Sequence, residues 1–412
     1  MRYRTGSPNL PNSPWRYALL ALVAAGVACA GDDSSRPDSI ARDSAGVMIV
    51  ESTRTSWEAD ERWTISAEPQ LDIGVAEGAP EYQLYRASSA VRLADGRVVI
   101  ANGGTNELRF YDRDGSHLMS VGRAGEGPGE FRDLQRVWLL PGDSLLAYDF
   151  FPSRLSVFTS SGEFIRSHHF ASSDGRQILI RGPLSDGSLI AAGAPIWNAP
   201  GATSGVVRDS VPYYRYDATG ALIGTLGRFP SLEAYRIVTG DDWRLTSVPF
   251  PRIPVTAITG SRFHFGPADT YELRTYTPAG ELERVVRLAQ PARAVEPADI
   301  DEYKRERLER AERDGERPAM ERILGEVPFP QALPLYDRML ADVDGNLWVS
   351  DYRTVRQDAA SWNVFSATGE LMGSVATPAR FEVLQIGTDF ILGQWLDDLE
   401  VEHIRLFALN KP

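Results

Sequence analysis

Between Val91 and Phe131 the chain reads VRLADGRVVIANGGTNELRFYDRDGSHLMSVGRAGEGPGEF, four short strands punctuated by turns, and weaker copies of this unit recur to the C-terminus. Asp95-Gly96 separates Ala90–Leu93 from Arg97–Ala101. An Asp-Gly pair between apolar runs marks a hairpin, since both residues tolerate the positive φ of a tight turn. Glu107–Tyr111 then alternates apolar and polar residues, as a half-buried strand does. A second turn, Asp112–Gly115, opens a fourth strand, Ser116–Val121.

Later units repeat the layout with turns at Pro141–Asp143 and Ser160–Gly162, at Ser185–Gly187 and Ala218–Gly220, at Thr259-Gly260 and Pro278–Gly280, and at Val343–Gly345 and Ala367–Gly369. The sixth unit has Phe381–Ile386, Phe390–Gly393 and His403–Leu406 but no fourth strand, while an early strand within Trp63–Ile73 has no partner. Closing the chain into a ring lets the early strand complete the last sheet and leaves no open edge there. The expected fold is therefore all-β, a six-bladed β-propeller over residues 46–412. The block Asp95-Gly96…Asn106–Asp112…Gly115…Val121-Gly122…Gly125…Gly127…Gly129…Phe131 resembles an NHL-type repeat. With Leu333–Tyr336 and Asp344–Val349, the layout is similar to bacterial six-bladed β-propeller lipoproteins, a likeness that implies the fold and no settled activity.

One stretch departs from the β pattern. Residues 297–325 are rich in Glu, Arg and Ala, with Ile300, Tyr303 and Leu308 at helical spacing, Pro297 suited to a helix start and Gly315 to a stop. This predicts a helical insertion between blades four and five with an ion-paired, solvated surface.

The N-terminus speaks to location. Met1–Arg16 is basic, Tyr17–Ala28 is a twelve-residue apolar run too short to span a bilayer, and the sole cysteine, Cys29, follows small residues. Residues 1–28 thus read as a signal peptide ending in a stretch that resembles a lipobox, with a signal cleaved near Ala28 beside an incidental cysteine as the alternative. A diacylglyceryl group on Cys29 would hold the protein at a membrane without a spanning helix. Ala30 in place of aspartate favours the outer membrane, placing the chain in the cell envelope. Residues 29–45 are polar and read as a flexible tether. The net charge of −13 argues against a nucleic-acid partner, and a single cysteine excludes an internal disulfide.

Chemistry is sparsely signalled. Gly122–Gly129 lacks the Lys-Ser/Thr and following helix of a phosphate loop, so it reads as an inter-blade connection. Of five histidines only His264 sits on an expected inner strand, against the zinc-binding histidines of peptide-amidating propeller lyases. Gluconolactonase-like propellers hold a divalent metal with Glu, Asn and Asp, and Asn102, Asp149, Asp269, Asp351 and Asp397-Asp398 occupy comparable strand ends. Oxygen ligands would suit Ca²⁺, though Asp and Asn are also ordinary turn residues. Tyr148, Phe150, Phe151, Trp197, Trp348, Tyr352 and Trp395, with His264, are the candidates for a ligand-binding mouth. The reading is a lipid-anchored module binding an envelope protein or extracellular ligand, with a metal-dependent lactonase, hydrolase or lyase as the competing class. Replacing Cys29 with Ser is expected to move the protein wholly into the soluble fraction; unchanged membrane association would remove the anchor.

Overall fold

Tight hairpins generate the architecture. In the first full unit Gly96 and Gly115 sit at φ of 92° and 85°, which L-residues with a Cβ rarely adopt, and each turns one strand back on its neighbour. The computed structural model describes residues 38–412 apart from 152, 173–174, 196–202, 241 and 355. The signal segment 1–28, Cys29 and the first part of the tether lie outside the described residues.

In chain order, a hairpin of β1 (Ser39–Ser44) and β2 (Val47–Ser52) comes first, then two short strands, β3 (Thr64–Ile65) and β4 (Leu71–Ile73). Blade one is β5 (Ser89–Arg92), β6 (Val98–Asn102), β7 (Glu107–Tyr111) and β8 (His117–Val121). Blade two is β9 (Leu134–Leu139), β10 (Leu145–Asp149), β11 (Arg154–Phe158) and β12 (Phe164–His169). Blade three has five strands: β13 (Ile178–Pro183), β14 (Leu189–Gly193), β15 (Gly205–Tyr216), β16 (Leu222–Thr239) and β17 (Asp242–Ser247). Blade four is β18 (Val255–Thr259), β19 (Arg262–Gly266), β20 (Glu272–Tyr276) and β21 (Leu282–Leu288), followed by helices α1 (Pro297–Arg313) and α2 (Arg317–Glu326). Blade five is β22 (Tyr336–Ala341), β23 (Leu347–Asp351), β24 (Ser361–Phe365) and β25 (Leu371–Ala376). Blade six is β26 (Phe381–Ile386), β27 (Phe390–Leu396) and β28 (Glu402–Asn410).

The ring closes as the sequence implies. Leu71, Asp72 and Ile73 of β4 pair antiparallel with Leu406, Arg405 and Ile404 of β28, and β3 pairs with Leu409 and Asn410 further along the same strand. Six hydrophobic clusters fill the six gaps between neighbouring blades, so the core is a ring of wedges. The cluster at the closure joins Leu71, Ile73, Leu392 and Ile404 to Ala90, Val98 and Ile100 of blade one. The fold is a six-bladed β-propeller.

Two expectations need correction. Ser39–Ser44, within the stretch read as a tether, forms β1 by pairing with β2 through the two-residue turn Ala45-Gly46, while β2 runs parallel to β21. β1 is an edge strand whose last five residues are exposed, so backbone hydrogen bonds hold it and no apolar periodicity announces it. Blade three is the other departure: β15 and β16 continue well past the expected strands, and β17 adds a return strand. Pro212 and Pro230 lie within this hairpin, and proline ordinarily argues against a strand.

The helical insertion matches its expected start at Pro297. Glu296 and Asp299 exchange capping hydrogen bonds with each other's backbone at the start of α1. Arg305 bridges Glu302 and Glu309, and Arg317 pairs with Glu321, as the charge pattern implied. Tyr303 packs against Phe250 and Phe329, 5.2 and 5.8 Å away between ring centroids, which fixes α1 on the segment entering blade four.

Ile73→Ala is expected to lower stability by about 2–5 kcal/mol in equilibrium urea unfolding, because it opens a cavity at the closure. Ile40→Ala, on exposed β1, is expected to change stability by less than about 0.5 kcal/mol. Equal costs for the two would show that closure is not where this fold is held.

Candidate functional site

The inner strands β5, β9, β13, β18, β22 and β26 enclose an axial channel of about 340 Å³ to which every blade contributes. It opens into a mouth of about 370 Å³ lined by Gln135, Arg136, Tyr148, Phe150, Arg181 and Asp337 among others. Tyr336 at the start of β22 lies opposite Asp351 at the end of β23, so the mouth face is where inner strands begin and second strands end. The hairpin turns at Gly96, Gly187 and Gly345 lie on the opposite face.

Irregular pairing shapes the wall. Register shifts leave Gln135, Arg181, Asp337 and Leu384 without an opposite residue on β10, β14, β23 and β27. Such bulges bend a strand and re-aim side chains. Three arginines reach the channel: Arg136 from β9, Arg181 from β13 and Arg338 from β22. Arg338 pairs with Glu382 at 2.8 Å and donates to the Val383 carbonyl at 3.1 Å. Arg136 is accessible to solvent, yet its confinement, followed by the Arg181 and Arg338 charges, pushes its pKa down, with Glu382 and Tyr148 opposing. Asp337 is pushed up by burial, with the Arg353 charge opposing.

Two insertions stand on the mouth face. The extended β15–β17 arm continues beyond the end of β14, and the helical insertion enters blade five at the start of β22. Large apolar side chains are exposed on the same face: Tyr85, Phe151, Trp243, Ile253 and Leu399.

The candidates from the sequence mostly serve their own blades. Asn102 accepts the Tyr85 N–H and donates to Thr105, each within 2.9 Å. Asp149 accepts the N–H groups of Arg132 and Asp133 and a guanidinium bond from Arg154 at 2.9 Å, all buried or half-buried. Asp269 pairs with Arg208 at 3.3 Å. Asp351 accepts from Asn363 at 2.9 Å and is pushed up by burial. Asp397 closes a turn on the N–H groups of Leu399 and Val401, the latter chiefly holding its pKa down, and Asp398 pairs with Arg380. These groups do not converge: among the described residues, no three His, Cys, Asp or Glu side chains form a group that could hold a metal ion. Asn102 and Asp397 serve local turns, and the others are held in ion pairs or strand-end hydrogen bonds.

Of the proposed mouth residues, Tyr148 lines the mouth, its hydroxyl donating to the Ile178 carbonyl at 2.8 Å. Phe150 lines it too, and exposed Phe151 packs edge-on against Phe150. Trp348 is buried between blades five and six, donating to Asp342 at 3.1 Å. Tyr352 is half-buried and pushed up by burial, with Asp337 and Tyr303 adding to the rise. Trp395 stacks under the Arg405 guanidinium at 3.4 Å. Trp197 lies outside the described residues. His264 is not on the inner strand: β19 is the second strand of blade four, and the buried ring is held between Thr259 and Thr275 hydroxyls at 2.6 and 3.0 Å. The glycine loop is an inter-blade connection, and its Gly127 N–H is taken by Glu130 at 2.8 Å.

The channel arginines were missed. Each lies mid-strand in a short apolar run, Leu134–Leu139, Ile178–Gly182 and Tyr336–Ala341, and their recurrence on three inner strands was the available signal. A separate cleft of about 380 Å³, off the axis between blades two and three, is lined mostly by apolar groups such as Leu140, Leu155 and Phe170.

Residues 81–176 match the model of the DUF5128 family, described as a 6-bladed beta-propeller. Among solved structures, the chain is similar to a DUF4221 family member from Bacteroides vulgatus, with a TM-score of 0.53 and 12% identity over 85% of this chain and 99% of that one. It is also similar to a Bacteroides fragilis protein named as a candidate for export (TM-score 0.47, 12% identity, 88% and 99% covered). A third similar structure is virginiamycin B lyase from Staphylococcus aureus (TM-score 0.40, 10% identity, 85% and 100% covered). At these identities the likeness is one of fold. No curated protein matches the sequence. Among the described residues, no helix is long and apolar enough to cross a membrane.

His264 gives a pH prediction. Burial, aided by the Arg284 and Arg262 charges against Glu283, drops its pKa from 6.5 to about 3. The unfolded chain binds this proton more readily, so its contribution is full above about pH 6.5 and is lost as pH falls toward 3. His264→Gln is expected to remove up to about 2 kcal/mol of the stability loss between pH 7 and pH 5. Identical pH profiles for wild type and variant in urea unfolding would contradict the assignment.

Proposed function

We propose that the protein is an extracytoplasmic binding module, held in the cell envelope through a diacylglyceryl group on Cys29, that takes a small ligand at the mouth of its axial channel. The observation that carries this reading is the mouth itself. Inner strands β9, β13, β18 and β22 line it above a channel to which all six contribute, the β15–β17 arm and the helical insertion stand on the same face, and exposed aromatic and aliphatic groups lie on that face. A concave site with a few convergent polar groups in a rigid scaffold is where ligands are commonly held.

The signal-like N-terminus and its lone cysteine supply the location, and the acidic charge suits a partner other than nucleic acid. Of the two carboxylates at the channel and mouth, Glu382 is held in an ion pair with Arg338 and Asp337 accepts a backbone N–H, which suits a binding role. The metal-dependent alternative has no specific observation in its favour.

A thermal-shift screen of small metabolites against the full-length protein in detergent tests this reading. At least one compound is expected to raise the melting temperature of wild type by several degrees and to lose that effect in Thr256→Trp, which fills the channel. If every stabilising compound acts equally on the blocked variant, or none stabilises wild type, the axial mouth is not the binding site.

A further inference from the structure

Three guanidinium groups meet in the channel of a chain whose net charge is −13. The acids facing them are Glu382 and Asp337. Glu382 is committed to Arg338, which also donates to the Val383 carbonyl. Asp337 accepts the Arg353 N–H at 3.4 Å through one oxygen and its other oxygen is buried without a hydrogen-bond partner, so it forms no ion pair with the channel arginines. Neither Arg136 nor Arg181 has a carboxylate partner among the described residues. Arg181 lies 5.9 Å from the Tyr213 ring centroid, and its Nε is buried with no hydrogen-bond partner.

Like charges brought together with one paired carboxylate among them destabilise the empty fold. Arg338 ties blade five to the Val383 carbonyl of blade six, whereas the side chains of Arg136 and Arg181 make no hydrogen bond among the described residues. Guanidinium groups present planar forks that match the oxygen pairs of carboxylates and phosphates. We infer that the channel binds a small dianion, a phosphate monoester or a dicarboxylate, seated between Arg136 and Arg181 with Arg338 beside them. The inference rests on the axial mouth being the binding site, and it adds the chemistry of the ligand. A cavity of about 340 Å³ limits that ligand to roughly the size of a sugar phosphate or a small dicarboxylic acid.

Isothermal titration calorimetry on the full-length protein in detergent, at matched ionic strength, tests the assignment with inorganic phosphate, succinate and chloride. Phosphate or succinate is expected to bind and chloride not, and which of the two binds more tightly separates a phosphate ester from a dicarboxylate. The double variant Arg136→Gln/Arg181→Gln should weaken binding at least tenfold, while Arg113→Gln, on an exposed turn, leaves it unchanged. A second readout needs no ligand: at low salt the double variant should melt no lower than wild type, and added sodium chloride should raise the melting temperature of wild type more. Binding no better than chloride, or equal affinity in the double variant, overturns the inference. If a neutral compound proves sensitive to Thr256→Trp while both anions fail, only the anionic assignment falls; if no compound depends on the channel, the binding site falls with it.

Discussion

The pairing of β4 with β28 is the constraint on which the other contacts depend. Ile404, Arg405 and Leu406 take their partners from residues more than 300 positions earlier, so the last sheet is completed only when the chain has gone full circle. Without that strand blade six would present an open edge, and the wedge that Leu71 and Ile73 share with blade one would lose one wall. Closure also orients the interior: it holds six inner strands pointing the same way about one axis, which places their first residues on one face and makes that face the mouth.

The segment before blade one does more than close the ring. β2 runs along β21 of blade four, the N–H groups of Ser56 and Trp57 donate to Leu371 and Met372 on blade five, and β3 and β4 then join blade six. It lies as a belt across three successive blades. Trp57 covers Gly373, where an added Cβ would meet the indole at 2.0 Å, and stacks toward Trp63 and onward to Trp348. A contact of such sequence separation forms late, because loop closure must be paid in entropy before it is rewarded. The belt spreads that closing step over several hydrogen bonds and an aromatic row.

What the sequence made legible follows the range of the forces involved. Asp-Gly and Thr-Gly turns are local, so the blade hairpins, the number of blades and the ring could be read residue by residue, as could the start of α1 at Pro297. β1 was hidden because an exposed edge strand is held by backbone alone, and the blade-three arm because Pro212 and Pro230 argue against strands in a one-dimensional reading. At the site the range of the forces matters in a related way. Asn102, Asp149 and Asp397 stood out as metal-type residues, yet turns and strand-end hydrogen bonds claim short polar side chains before any ligand can. Arg136, Arg181 and Arg338 look in sequence like the solvent-facing half of an alternating strand, and only ring closure turns that face inward.

That inversion bears on how the site works. The arginines sit on strands held by neighbours on both sides, so the charge is fixed by the rigid part of the molecule, and bulges at Arg181 and Asp337 aim side chains without loosening the sheet. The groups around the rim belong instead to loops and insertions. Tyr303, Phe250 and Phe329 tie the helical insertion to the chain leaving the blade-three arm, so the two structures flanking the mouth share one aromatic hinge. On the proposed reading, a ligand meets a preorganised electrostatic floor with the two insertions at its rim. Discrimination by charge then falls to the strands, and discrimination by shape to the insertions.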